Sequence, residues 1–271
     1  MLISADTLCD NLHISSFILL VYPPPMITLS TSAPFLGHMR VEVTLPPGFR
    51  DRRTPLPFLI LCDAQNQGTN RGAYGGWHTD SIALSLMRSR KLRSIVLVGL
   101  TSPSNRDRAY APPPWGRAGL LADHIANSVI PMLRPRFKLT TDRNHIGIIG
   151  ASFASNFAIE AGLFRPDTFG LCGAFSAAPH AGESLHAMVA KRQPLPFHRL
   201  YIDSGTLWAY DNPHGFGGDS TVFNRRLIEL AKSRMPRGHF WGRICAGHYH
   251  NEEFWRKRIG PALQFLFRPN P

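Results

Sequence analysis

The chain has 271 residues, of which 44% are hydrophobic and 18% charged. This suits one large α/β domain or two small ones and excludes a low-complexity, fibrous or repeat protein. Its 30 Lys and Arg against 18 Asp and Glu give a formal net charge of +12. No helix-turn-helix, zinc-finger or aromatic-interleaved pattern accompanies that charge, so no nucleic-acid partner is expected.

Residues 1–26 read as an N-terminal extension, because Pro23-Pro24-Pro25 breaks the chain just ahead of the first convincing strand. The apolar stretch 14–22 is too short to span a bilayer and no Lys or Arg precedes it. Neither a membrane partner nor a secretory signal is expected, and the cytoplasm is the expected compartment. Residues 27–271 read as a single domain that opens with two strands at 27–32 and 40–45 forming an antiparallel hairpin. Short continuous apolar runs follow at 57–62, 95–100 and 145–149, as strands buried on both faces of a parallel sheet require. The densest basic run, Arg88, Arg90, Lys91 and Arg93, closes a helical segment and reads as a solvated helix end. Leu121, Ile125, Val129 and Met132 or Leu133 recur at a helical period.

Further on, a helix is expected over 152–163, strands at 171–176, 199–204 and 239–245, a helix from Thr221, and a closing helix from about Asn251 that carries Trp255, Ile259, Leu263 and Leu266. Alternating strands and helices predict an α/β fold with a mostly parallel, doubly wound sheet and helices on both faces. Cys9, Cys62, Cys172 and Cys245 have no metal-ligand spacing, and three of them fall in or next to apolar strands, where free thiols pack as small hydrophobes. No metal and no organic cofactor is expected, and nothing in the sequence sets an oligomeric state.

The segment that carries chemistry is Gly150-Ala151-Ser152-Phe153-Ala154, where a buried strand runs through a small-residue turn into a helix. A nucleophile elbow needs this context, with small residues two before and two after the serine. On the alternative reading, Gly150 closes the strand and Ser152 caps the helix. An alkoxide on Ser152 and the oxyanion it forms would lie near the helix N-terminus, where backbone donors favour negative charge. Ser155 lies a turn into the helix and is the poorer nucleophile.

Several separated segments resemble the esterase family of α/β-hydrolases that includes enterochelin-esterase-like proteins, feruloyl esterases and related carbohydrate esterases. They are Pro57 through Asp63-Ala64-Gln65-Asn66, Tyr74-Gly75-Gly76-Trp77 with Asp80, Arg106 with Tyr110 and Pro112, Arg165-Pro166-Asp167 with Phe169-Gly170, and His250-Asn251-Glu252-Glu253-Phe254-Trp255. The resemblance covers roughly residues 40–267 and implies an α/β-hydrolase fold and a serine esterase acting on a small-molecule or carbohydrate ester. It makes His250, five residues before Trp255, the general base, with His248 as a decoy. It implies an oxyanion hole from the backbone N–H of Phe153 and of Ala64 or Gln65, and puts Trp77, Arg106 and Tyr110 near the substrate mouth, with packing and loop anchoring as the alternative for these three. The family carries its acid in Gly-Thr-x-Glu or Gly-Thr-x-Asp, where this chain has Gly205-Thr206-Leu207-Trp208. Asp211 is the candidate acid instead, since Asp203 lies inside a strand pattern and Asp219 reads as a helix cap. The alternative, drawn from Trp208, Ala64 and Ala154, is a non-catalytic protein of the same fold that binds a carbohydrate or siderophore-like ligand.

Overall fold

The computed structural model of the protein describes residues 26–51, 53–179, 182–208 and 220–269. Residues 1–25 of the extension and the candidate acid Asp211 lie outside the described residues. The strands are β1 (Met26–Ala33), β2 (Gly37–Thr44), β3 (Phe58–Cys62), β4 (Val96–Leu100), β5 (Ile146–Ser152), β6 (Leu171–Ala177), β7 (Arg199–Gly205) and β8 (Phe240–Cys245). They form an eight-stranded sheet in the order β1-β2-β4-β3-β5-β6-β7-β8. β1, β2 and β4 pair antiparallel, and from β4 to β8 every pairing is parallel. The hairpin and the parallel body match the sequence reading, while the crossing of β3 and β4 leaves no trace in composition.

Alternation along each strand sorts the core into two layers. Phe58, Ile60 and Cys62 of β3, with Ile146 and Ile148 of β5, face one side. They pack against α3 (Ala118–His124), α4 (Ile130–Phe137), α5 (Phe153–Phe164) and α7 (Ser220–Lys232). Leu59, Leu61, Ile149, Phe175 and Tyr201 face the other, under α1 (Thr79–Arg88) and α8 (Glu252–Leu266). The short α2 (Arg106–Tyr110) and α6 (Gly182–Ala190) complete the first layer, through Tyr110 and through Leu185 and Val189.

The predicted helix through Leu121, Ile125, Val129 and Leu133 is present but not uniform: a π-turn at Ile125–Val129 joins α3 to α4. These residues repeat every four positions, longer than the 3.6 of an α-helix, and the wider turn keeps the stripe facing the sheet.

α5 is buried on every side, all ten residues from Ala154 to Leu163 being inside. Its Glu160 is fully buried, and neither carboxyl oxygen has a hydrogen-bond partner among the described residues. Burial pushes its pKa up from 4.5 to about 9, so the folded protein holds this carboxyl as the neutral acid. The unfolded chain releases that proton near 4.5, so between about pH 4.5 and about pH 9 the folded state binds more protons and loses stability as pH rises. Glu160→Gln should flatten that fall, which limiting linkage puts at about 1.4 kcal/mol per pH unit. Melting temperatures of both proteins across the window measure it, and parallel curves would contradict it.

Candidate active site

At the C-terminal edge of the sheet, β5 stays buried to Ala151, and the chain then turns at Ser152 into α5. Ser152 sits at φ 58° and ψ −128°, a conformation L-residues rarely adopt and hold only when their surroundings impose it. Its side chain makes no capping hydrogen bond to α5, which removes the reading of Ser152 as an ordinary helix cap. Strand and helix approach closely here: a Cβ on Gly150 would lie 2.4 Å from the carbonyl oxygen of Ala154 and 2.7 Å from its Cβ. Glycine is therefore required at 150, and the buried Ala154 methyl fits without displacing the turn. Ser155 is sealed in the core, its Oγ buried and without a partner among the described residues.

β3 lies parallel beside β5, Leu61 level with Ile149, so the turn after β3 flanks the elbow. Asp63 adopts the left-handed conformation (φ 54°, ψ 51°) and starts a 3₁₀ turn, Ala64–Asn66. The turn closes through Asn66 N–H donating to Asp63 O (2.8 Å) and Gln67 N–H to Ala64 O (3.1 Å). The N–H groups of Ala64 and Gln65 precede those closing donors, as the first donors of any helical turn do. Ala64 is accommodated because β4 carries Gly99 opposite it; a Cβ there would meet the Ala64 methyl at 2.8 Å.

Asp63 is the hub of a polar cluster that the sequence reading missed. Arg106 donates from Nε to both carboxylate oxygens (3.1 Å each) and from Nη2 to Oδ2 (2.7 Å). Ser102 Oγ (2.5 Å) and the Tyr110 hydroxyl (3.0 Å) donate to Oδ1. Gln65 joins through Nε2 donating to Ser102 Oγ (2.6 Å) and Oε1 accepting from Ser102 N–H (3.1 Å).

The three residues expected at the substrate mouth all have structural partners. Arg106, its side chain still 32% exposed, grips Asp63; Tyr110 is buried, stacked on Phe157 at 5.1 Å, and burial raises its hydroxyl pKa. Trp77 is 2% exposed and packs on Phe175 and Trp255 at 5.0 and 5.3 Å, as core.

The third corner is the loop between β8 and α8. It pairs with the segment after β7, Leu207 N–H donating to His248 O (3.1 Å) and His250 N–H to Trp208 O (2.9 Å). The His250 ring stacks face to face on Trp208 at 3.9 Å and meets Trp255 edge-on at 5.2 Å. Trp255 Nε1 donates to Ser176 Oγ (3.2 Å), and Ser176 lies next to Ala177, the residue that pairs with Ser152 across a register slip between β5 and β6. Glu252, at the start of α8, has its pKa raised by burial and by the negative charge of Asp63, which relates this corner to the β3 turn.

His248 differs from His250 in kind. Its Nδ1 is buried without a partner among the described residues, and burial, then Arg258, Lys257 and Arg243, lower its pKa to about 4. Asp203 is fully buried, accepting from Arg258 Nη1 (2.9 Å) and the Tyr201 hydroxyl (2.5 Å), and Arg258 Nη2 also donates to Ser176 Oγ (3.1 Å). Its carboxylate thus fastens α8 to β7. Among the described residues, no group of three or more His, Cys, Asp or Glu is arranged to hold a metal ion.

Residues 32–266 match the family model described as "Putative esterase". The chain belongs to this esterase family. Uncharacterized protein YbbA of Bacillus subtilis (strain 168) is 23% identical over 259 residues, covering 86% of this chain and 94% of that protein. Esterases also share the fold among solved structures. A ferulic acid esterase aligns with TM-score 0.67 at 17% identity over 90% of this chain and 97% of its own. The siderophore hydrolase EstB from Aspergillus nidulans aligns with TM-score 0.69 at 18% identity over 93% and 98%. The enterobactin esterase FES from Shigella flexneri, solved in the presence of enterobactin, reaches TM-score 0.72 at 16% identity over 90% of this chain and 59% of that one.

For an esterase of this geometry, Arg106→Lys should slow turnover by roughly ten- to hundred-fold with little change in KM, because an ammonium cannot reproduce the bidentate grip that fixes the β3 turn. Steady-state kinetics on an aryl ester, with a melting curve as control, read this out. An unchanged kcat would show that the cluster is only structural.

Proposed function

We propose that the chain is a serine ester hydrolase that works through an acyl-enzyme on Ser152, with His250 as general base. The observation that carries this reading is the strained Ser152 backbone, with a side chain that does not cap the helix it starts. Backbone strain of about 1–3 kcal/mol persists where the surroundings impose it, and it clusters at reactive positions.

In the proposed cycle, His250 accepts the Ser152 hydroxyl proton as Oγ bonds to the ester carbonyl carbon, and the carbonyl π pair moves onto oxygen. The N–H groups of Phe153 and of Ala64 or Gln65 hold that oxyanion, supported by the dipole of α5. Collapse breaks the bond to the alcohol, which leaves with the proton from His250. Water then gives a proton to His250, attacks the acyl carbon and releases the acid, and Ser152 recovers its hydrogen. Asp211 is the proposed acid partner of His250, chosen because Asp203 is committed to Arg258 and Tyr201.

The substrate class is a small-molecule or carbohydrate ester. Support comes from the ferulic acid esterase and enterobactin esterase that share the fold. The buried free thiols Cys62 and Cys172 favour a reducing compartment, the cytoplasm, and among the described residues no helix is long and apolar enough to cross a membrane. The reading of Ala64 and Ala154 as signs of a non-catalytic binding protein loses force, since Gly99 and Gly150 make room for both.

Ser152→Ala should abolish both ester hydrolysis and labelling by a fluorophosphonate while leaving the melting temperature nearly unchanged; a variant that still labels would move the nucleophile elsewhere. His250→Ala should cost several orders of magnitude in kcat and His248→Ala much less, and the reverse ranking would move the base. Asp211→Asn should slow turnover by up to about 10⁴-fold. A wild-type protein that neither labels nor hydrolyses aryl esters would favour the ligand-binding alternative.

A further inference from the structure

The imidazole of His250 is held against an indole. Its ring centroid lies 3.9 Å from that of Trp208 at an interplanar angle of 26°, closer than the roughly 4.5–7 Å usual between aromatic rings, so the two faces are in full contact. The backbone fixes this pairing: His250 N–H donates to Trp208 O at 2.9 Å, and Leu207 N–H donates to His248 O at 3.1 Å. The loops come this close only because β7 ends in glycine; a Cβ on Gly205 would lie 2.0 Å from His248 O. Trp255 supplies the second constraint, meeting His250 at 76° while it is itself buried and donates to Ser176 Oγ.

We propose that Trp208 is a positioning residue for His250, its indole face fixing the imidazole plane and stabilising the positive charge the ring gains when Ser152 gives up its proton. This deepens the proposed function and rests on His250 being the base. The face of an indole carries the negative lobe of its quadrupole and attracts a cation placed over it, most strongly away from water. Such help matters in this corner of the molecule. Arg258, Lys257 and Arg243 act on His248, two residues before His250, to disfavour its protonation. The titratable groups near His250 in the chain are His248 and Tyr249 on its own loop and Glu252, Glu253, Lys257 and Arg258 on α8, with Asp63 acting across on Glu252 and Asp211 as the proposed acid partner. None of them changes in the variants that test the proposal, so their contributions cancel.

Leucine and phenylalanine exclude water comparably at position 208, but only phenylalanine offers a π face. The test uses Trp208→Phe and Trp208→Leu in the full chain, with melting curves to confirm folding. Kinetics on an aryl ester across pH give kcat and KM. NMR of the His250 ring in the Ser152→Ala background gives its titration whether or not the enzyme turns over. Trp208→Leu should lower kcat about ten-fold with KM nearly unchanged, and shift the His250 midpoint down by about half a pH unit or more relative to Trp208→Phe, which should stay close to wild type. Equal titrations and rates for the two variants would overturn the proposal, as would a raised KM with unchanged kcat, which would make the indole a substrate contact. A titration shift joined to wild-type turnover in His250→Ala would also overturn it, and would place the failure in the choice of base, leaving the stack intact.

Discussion

The site depends on how closely α5 approaches the end of β5. With no room for a Cβ at Gly150 and only a methyl at Ala154, the chain between them must turn sharply, and Ser152 takes the backbone conformation that results. The same approach aligns α5 so that its first N–H groups and its dipole converge on the serine. Parallel pairing brings the end of β3 level with this point and sets the turn that carries the Ala64 and Gln65 N–H groups beside it.

Buried polar side chains then hold the loops that regular secondary structure leaves free. Asp63 gathers Arg106, Ser102 and Tyr110 to fix one turn. Asn156 and Asn224 each exchange hydrogen bonds in both directions with the backbone at the end of β6, at Ala178 and Ala177 respectively. Asp203, Arg258 and Ser176 tie α8 across β7 to β6. Each of these groups has partners, so its burial is compensated; Glu160 and His248, which have unpartnered atoms, lose their charge instead.

What could be read from sequence follows the strength of the physical mark. Strands buried on both faces have to be short continuous apolar runs, so β3, β4 and β5 were legible. The small residues around Ser152 are a steric demand that composition records directly. α6 was missed because its apolar signal is little more than Leu185, Met188 and Val189 in a nine-residue segment. For Arg106 and Tyr110 the resemblance left a place at the substrate mouth and loop anchoring both open. Their spacing of four on α2 held a better clue: both lie on one helical face and meet one partner, Asp63. That partner comes from a turn 43 positions away in the chain, a distance that no local pattern spans.

The Asp203–Arg258 pair also has a meaning for the order of synthesis. Strands β3 to β7 leave the ribosome before β8 and α8, so during that interval Asp203 lacks Arg243 and Arg258, the guanidinium groups that favour its charged form. The last helix brings the Arg258 charge, the Trp255 contact and the neighbouring His250 together. A nascent chain can therefore assemble the elbow while still lacking its proposed base.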